Sequence, residues 1–214
     1  MIQEQLASLR ELEQEFPVYG LKISPVACQT KVTKLLEECE VFLEFARERN
    51  WPILFHVTAD TREAFSGAED TFRVVERHPE LRYCLAHALC FHRGYLDRAD
   101  ATPNVWVDTA ALKIMVQLIY ENTPPIVALS DRLECDSSDH LKVMQALAQR
   151  DPKTIVWGSD TPYHSYITHR LQGDGYYYEF RLKGTYEQEK AALDVLSLED
   201  RHQLGVNALD FIFG

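Results

Sequence analysis

Apolar residues along this chain follow two alternating rhythms. Ile2, Leu6, Leu9, Leu12 and Phe16 recur at helical spacing with Gln and Glu between them, which predicts an amphipathic helix over 2–16, ended by Pro17. Residues 31–49 repeat the pattern, with Val32, Leu35, Leu36, Cys39, Phe42, Leu43 and Ala46 on one stripe. Further helices are expected over 68–78, stopped by Pro79, over 138–150 with Ser138 as cap, over 186–196, and over 198–212 led by Ser197 with Asp200 three residues on. Between them lie short runs that are apolar almost throughout: 19–24, 52–57, 81–87, 104–109 and 154–160. A strand apolar at successive positions is buried on both faces, which is the mark of a parallel sheet built from βαβ units. An open doubly wound sheet and a barrel both satisfy that order. No G-x-G-x-x-G and no G-x-x-x-x-G-K-[ST] follows any strand, so the nucleotide-binding open sheets lose support.

One segment breaks the alternation. Between Asp160 and Tyr186 lie six of the ten tyrosines, at 163, 166, 176, 177, 178 and 186. Residues 166–171 and 176–182 flank Gly173-Asp-Gly175, a hairpin signal, so 160–186 is expected to be an aromatic hairpin insertion overhanging the strand before it. It could serve as a lid or specificity wall, or as a cover for open core or an oligomer contact.

Composition narrows the functional classes. The 214 residues suit a single domain spanning 1–214, since domains run to about 150 residues. A net charge of −11 argues against a nucleic-acid partner and against anionic membrane surfaces. No apolar run approaches the roughly 20 residues that a spanning helix needs. The start Met1-Ile-Gln-Glu-Gln lacks the basic and apolar regions of a secretory signal. Five cysteines (28, 39, 84, 90, 135) with no C-x-x-C read as reduced thiols, and hence a cytoplasmic protein.

The chemistry sits at strand ends. Lys22 precedes Ser24, His56 and His87 close the second and third runs, Asp108 lies at the fourth and Asp160 ends the fifth. Parallel strands present their C-terminal ends to one rim, where active sites assemble. Two imidazoles and a carboxylate converging there can bind a divalent metal, Zn²⁺ most naturally. Such a metal lowers the pKa of bound water, and a neighbouring carboxylate can take its proton. Each residue also has a plain structural use. A strand-end His is often hydrogen-bonded, Asp160 before Thr161-Pro162 could cap a turn, and Lys22 could snorkel to solvent. A structural His, however, has no reason to recur at the same end of successive strands.

These residues carry a resemblance. Leu81-Arg-Tyr-Cys-Leu-Ala-His87, Pro103-Asn-Val-Trp-Val-Asp108, Ile155-Val-Trp-Gly-Ser-Asp-Thr-Pro162 and the closing Gly205-Val-Asn-Ala-Leu-Asp-Phe-Ile-Phe-Gly214 resemble motifs of the amidohydrolase-related family. This is the metal-dependent TIM-barrel group whose branches include aminocarboxymuconate-semialdehyde decarboxylase. The runs 19–24 and 52–56 are similar to its fourth and fifth strands. The resemblance implies an incomplete (β/α)₈ barrel of about five parallel strands plus the hairpin. It implies His56 as a metal ligand, His87 as a ligand or the group that polarises substrate, and Asp160 as both ligand and general base. It leaves Lys22 to substrate or structure, with His92, Tyr163 and His164 as further substrate-facing residues and His92 and His164 also candidates for a third ligand.

The chain departs from the family in having no H-x-H, the first-strand pair that supplies two ligands. Roughly three βα units before the 19–24 strand are not matched. The expected activity is metal-dependent hydrolysis, or non-oxidative decarboxylation, of a small amide, ester or carboxylated substrate. The rivals are an inactive or truncated scaffold and a metal-independent hydrolase using the same rim. Five strands cannot close a barrel that needs about eight, so the open edge and face predict a homo-oligomer.

Overall fold

A computed structural model describes residues 2–121, 126–150, 153–171 and 175–214 of the protein. Its centre is one parallel sheet of β1 (Leu21–Ile23), β2 (Ile53–Phe55), β3 (Tyr83–Leu85), β4 (Val105–Asp108) and β5 (Ile155–Val156). Each strand pairs with the next in the chain, giving the order β1-β2-β3-β4-β5. This order settles the architecture. A doubly wound sheet reverses direction at a switch point, whereas a barrel winds one way only. The sheet is an incomplete α/β barrel.

Register fixes what each face presents. Leu21, Ile53, Tyr83 and Val105 stand side by side and are buried. They belong to the core that Leu43, Phe72, Leu96 and Met144 build from the helices. One residue on, Lys22, Leu54, Cys84 and Trp106 form the opposite row, on the face a closed barrel would enclose. There the Trp106 ring lies 5.8 Å from that of Phe211 on the last helix.

The helices are α1 (Ile2–Glu15), α2 (Pro25–Cys28), α3 (Glu40–Glu48), α4 (Ala68–Arg77), α5 (Arg93–Asp100), α6 (Leu112–Val116), α7 (His140–Arg150), α8 (Tyr186–Asp194) and α9 (Leu198–Phe213). Among the described residues no helix is long and apolar enough to cross a membrane. The expected starts of α8 and α9 hold. Thr185 Oγ1 accepts from the Gln188 N–H, and Ser197 Oγ from the Asp200 N–H. The start of α7 differs: Asp139, not Ser138, takes the first free amide, that of Leu141, because Ser138 is engaged with Asp136.

The single helix expected over 31–49 is two elements. A 3₁₀ turn at Val32–Leu36 stops at Glu37, whose ψ of −125° is not helical, and α3 follows. The Val32 N–H is drawn to the Phe65 carbonyl, tying that turn to a distant loop. Helices α5 and α6 were not expected. The first has eight residues and is largely polar, and the second has five and runs on as a π turn over Gln117–Glu121, so neither shows the sustained period that marks a helix in sequence. Strands β3 and β5 are shorter than expected, so His87 and Asp160 stand beyond the ladder on connecting turns.

The hairpin forms as expected: β6 (Ser165–Leu171) pairs antiparallel with β7 (Tyr177–Lys183). Of its turn signal, Gly173 and Asp174 lie outside the described residues, and Gly175 has φ +85°. The hairpin is fastened to the body near its base, where Gln117 donates to the Lys183 carbonyl and accepts from the Lys183 N–H, both at 3.0 Å.

Candidate active site

The rim is organised by Asp108, the last residue of β4, which is only 5% exposed. Its Oδ1 accepts from the backbone N–H groups of His87 (2.8 Å) and Ala110 (3.0 Å). One carboxylate thus joins the turn after β3 to the turn after β4. The first of these turns is costly. His87, Ala88, Leu89, Cys90 and Phe91 all have positive φ, between 47° and 64°, and none is glycine. Each left-handed L-residue costs roughly 1–2 kcal/mol, so the surroundings must hold the segment. All five are buried, and Asp108 anchors the first.

This turn aims the His87 ring at its neighbours. His87 Nδ1 is 3.0 Å from the Ala110 carbonyl oxygen, which can only accept, so the proton is on Nδ1. His87 Nε2 is 3.0 Å from His56 Nδ1. In the neutral pair His56 Nδ1–H therefore donates to His87 Nε2, leaving the lone pair of His56 Nε2 open. Burial, with smaller contributions from His87 and Lys22, pushes the His56 pKa down to about 3. The imidazole is neutral at physiological pH.

Asp160 reaches the rim on the segment Gly158-Ser-Asp-Thr-Pro162, in a left-handed conformation at φ +58°. A Cβ at Gly158 would meet the Ala110 Cβ at 3.2 Å, so glycine lets this segment pass close to the residue whose carbonyl holds His87. Burial raises the Asp160 pKa, and Asp108 adds to the shift; His87, Lys22 and His164 oppose it. Asp160 is thus within electrostatic reach of four other rim groups.

The remaining expected residues are placed as follows. Lys22 is exposed on the concave row. His164 Nε2 is 3.3 Å from Thr161 Oγ1, next to Asp160. Tyr163 gives its N–H to the Asp160 carbonyl at 2.7 Å and turns its side chain out, 71% exposed. His92 caps α5, its Nδ1 accepting from the Tyr95 N–H at 3.3 Å, with the two rings 4.3 Å apart.

Glu189 on α8 was not anticipated. It is 2% exposed, and its two carboxylate oxygens accept from the Leu112 and Lys113 amides at 3.0 and 3.1 Å. It thereby caps α6, which opens two residues after Ala110. Nothing in the sequence marks it, because its partners are amides more than seventy positions away. Burial pushes its pKa up to about 7, Asp160 adds to the shift, and the two amides oppose it. The folded protein therefore holds this proton more tightly than the unfolded chain. The stabilisation is fully present below the ordinary value of 4.5 and is lost as pH rises through about 7. Between pH 5 and pH 8, Glu189→Gln is expected to remove a stability loss of up to about 3 kcal/mol. Urea unfolding of both proteins at the two pH values measures it; parallel pH dependences would refute it.

The resemblance implies a divalent metal, and the donors can be tested for it. A stable catalytic zinc site has three protein ligands. Here His87 Nδ1 is bound to a backbone carbonyl, as in many metal-binding histidines, but its Nε2 is taken by His56. Among the described residues no group of three or more His, Cys, Asp or Glu side chains is arranged to hold a metal ion. The residues described here do not by themselves make a metal centre.

Comparison with known proteins now adds to this geometry. Residues 3–209 match the family model described as amidohydrolase. Among solved structures, an uncharacterized TIM-barrel protein from Bordetella bronchiseptica is similar over 100% of this chain and 63% of its own, with TM-score 0.61 and 14% identity. A dihydroorotase from Campylobacter jejuni is similar over 94% of this chain and 59% of its own, with TM-score 0.56 and 15% identity. At such identities the likeness is one of fold. None of the curated proteins compared with the chain matches it. The chain spans about three fifths of the length of the two solved structures it resembles. With 3–209 matched, a one-way parallel sheet and His56, His87 and Asp160 after its strands, the chain belongs to the amidohydrolase family.

Proposed function

We propose that this rim hydrolyses a small amide, ester or carboxylated substrate, with Asp160 as the proton acceptor for the attacking water. The observations that support the reading are that His56 and His87 hydrogen-bond each other at 3.0 Å and that Asp160, after the next strand but one, is within electrostatic reach of His87. A carboxylate whose pKa is raised by burial is a better base than an exposed one, because it nears the pH at which it must work. His56 offers the open lone pair of Nε2 to a water or substrate N–H or O–H. His87, held by Ala110 and Asp108, keeps that ring in place. Lys22 supplies a positive charge on the concave face for a substrate carboxylate, while Tyr163 and His164 stand at the outer side of Asp160.

The described residues do not by themselves carry the family's metal dependence, because a stable catalytic zinc site has three protein ligands. With His87 Nε2 engaged by His56, the donors this reading leaves for a metal are His56 Nε2 and Asp160, a nitrogen–oxygen pair of the kind that suits zinc. Five cysteines, none of them in a disulfide, fit a reducing, cytoplasmic setting.

A second reading, a scaffold without catalysis, is favoured by the lack of a three-donor group among the described residues. The discriminating experiment is a panel of small cyclic amides and esters assayed with and without added Zn²⁺, alongside elemental analysis of the purified protein. Hydrolysis above background supports the enzyme. A folded protein that turns over none of the panel with Zn²⁺ supplied favours the scaffold.

A further inference from the structure

The hairpin is the part of the molecule that the rim does not use, and its outer strand is left open. The Gly184 N–H donates to the His164 carbonyl, so Gly184, and with it Leu182, Phe180 and Tyr178, direct their backbone groups towards β6. Lys183, Arg181, Glu179 and Tyr177 therefore direct theirs outwards. The first outward rung is occupied, because the Gln117 amide pairs with both backbone groups of Lys183 as a neighbouring strand would. Among the described residues no hydrogen bond reaches the outward backbone groups of Arg181, Glu179 or Tyr177. No proline or bulge interrupts the strand, and Tyr177 is 70% exposed. A two-stranded hairpin alone is marginal in water, and an open edge of this kind accepts another strand.

We propose that β7 is a dimerisation strand, pairing with β7 of a second copy of this chain in a two-fold antiparallel register centred on Phe180. The two hairpins then form one four-stranded sheet. Glu179 and Arg181 already pair along the strand at 2.5 Å, and the same two charges favour one register of self-pairing. Centred on Phe180, Glu179 lies opposite Arg181 of the second copy, and the two-fold axis repeats the pair. Glu179 and Arg181 are also the residues whose outward backbone groups are open, so the same rungs carry the hydrogen bonds and the charges. Centring on Glu179 would set two carboxylates face to face, and centring on Arg181 two guanidiniums. On the opposite face Phe180 meets its counterpart, flanked by Tyr178 and by Leu182 of the second copy. The outward positions of β6 (Ser165, Ile167 and His169) offer no opposite charges for a self-pairing. A net charge of −11 opposes association weakly, since the Debye length at physiological salt is about 8 Å.

Sedimentation of the full chain at micromolar concentrations tests the proposal. The expected species is a dimer. Glu179→Arg should weaken it at least about tenfold, since like charges opposite each other destabilise a strand pair. Glu179→Arg combined with Arg181→Glu should restore it, because the two residues exchange places across the axis. A wild-type monomer throughout, or a dimer indifferent to Glu179→Arg, overturns the proposal. Should Glu179→Arg disturb the hairpin itself, cross-linking decides. Residues paired across the axis without mutual hydrogen bonds have Cα atoms about 4.5 Å apart, within disulfide range. Under mild oxidation Phe180→Cys should give a covalent dimer absent from wild type. Thr168→Cys, one strand further from the axis, should not. Equal cross-linking of the two, or none at Phe180→Cys, would also overturn it.

Discussion

Asp160→Asn is expected to lower hydrolysis by this rim about 10²–10⁴-fold, the usual contribution of a positioned general base, while leaving the unfolding transition in place. The fold should tolerate the change for a specific reason. Asp160 sits at φ +58°, a conformation that few side chains accept but Asn adopts as readily as Asp. The contact of its backbone carbonyl with the Tyr163 N–H is untouched. Asn keeps the shape of the group but cannot take a proton from water. The pH dependence adds a second readout. Because burial raises the Asp160 pKa, the acid limb of the wild-type rate profile should lie above the ordinary carboxylate value of 3.8. Rate profiles of the two proteins, with thermal unfolding as control, measure both effects. Turnover unchanged in the variant would remove Asp160 from the chemistry.

The largest expected effect on stability belongs to Asp108→Ala, at about 3–5 kcal/mol. Two backbone N–H groups, those of His87 and Ala110, would lose their acceptor at one stroke, at about 1–3 kcal/mol for each group left unsatisfied in the interior. That is a large share of the 5–15 kcal/mol by which domains are typically stable. Asp108→Asn keeps one carbonyl oxygen in the position of Oδ1 and should lose far less. Denaturant titration of the three proteins gives the magnitudes. Faster amide exchange at His87 and Ala110 in the alanine variant would locate the defect. Equal destabilisation by Ala and Asn would show that charge, and not the shared acceptor, is what Asp108 supplies.

The parallel sheet was legible because burial on both faces leaves an unbroken apolar run, as in Ile53-Leu-Phe55 and Val105-Trp-Val107. The hairpin was legible because strand-forming residues flank its glycines. The rim was legible as a location: His56, His87 and Asp160 all stand just after strands. The contact between the imidazoles was not, since it depends on the Ala110 carbonyl, which belongs to the backbone and leaves no trace in residue type. Nor was the turn at 87–91, since Ala, Leu, Cys and Phe are residues that ordinarily avoid left-handed backbone. Glu189 was invisible because its partners are amides far away in the chain. Helices α5 and α6 were missed because eight residues or fewer do not establish a period.

The left-handed turn from His87 to Phe91 also sets how this region can change over generations. At most buried positions a swap to glycine loosens the chain and a swap among larger apolar residues is tolerated. Here the ranking should invert in part. Ala88, buried but with only a methyl group to lose, is a position where glycine relieves backbone cost at little loss of packing, whereas valine or isoleucine would meet the full penalty. A saturation library across 87–91 would therefore show glycine enriched and β-branched residues purged at Ala88, with Leu89 and Phe91 held by their volume. The segment carrying the rim's central histidine is thus a ratchet: it can drift easily towards glycine, and only with difficulty back.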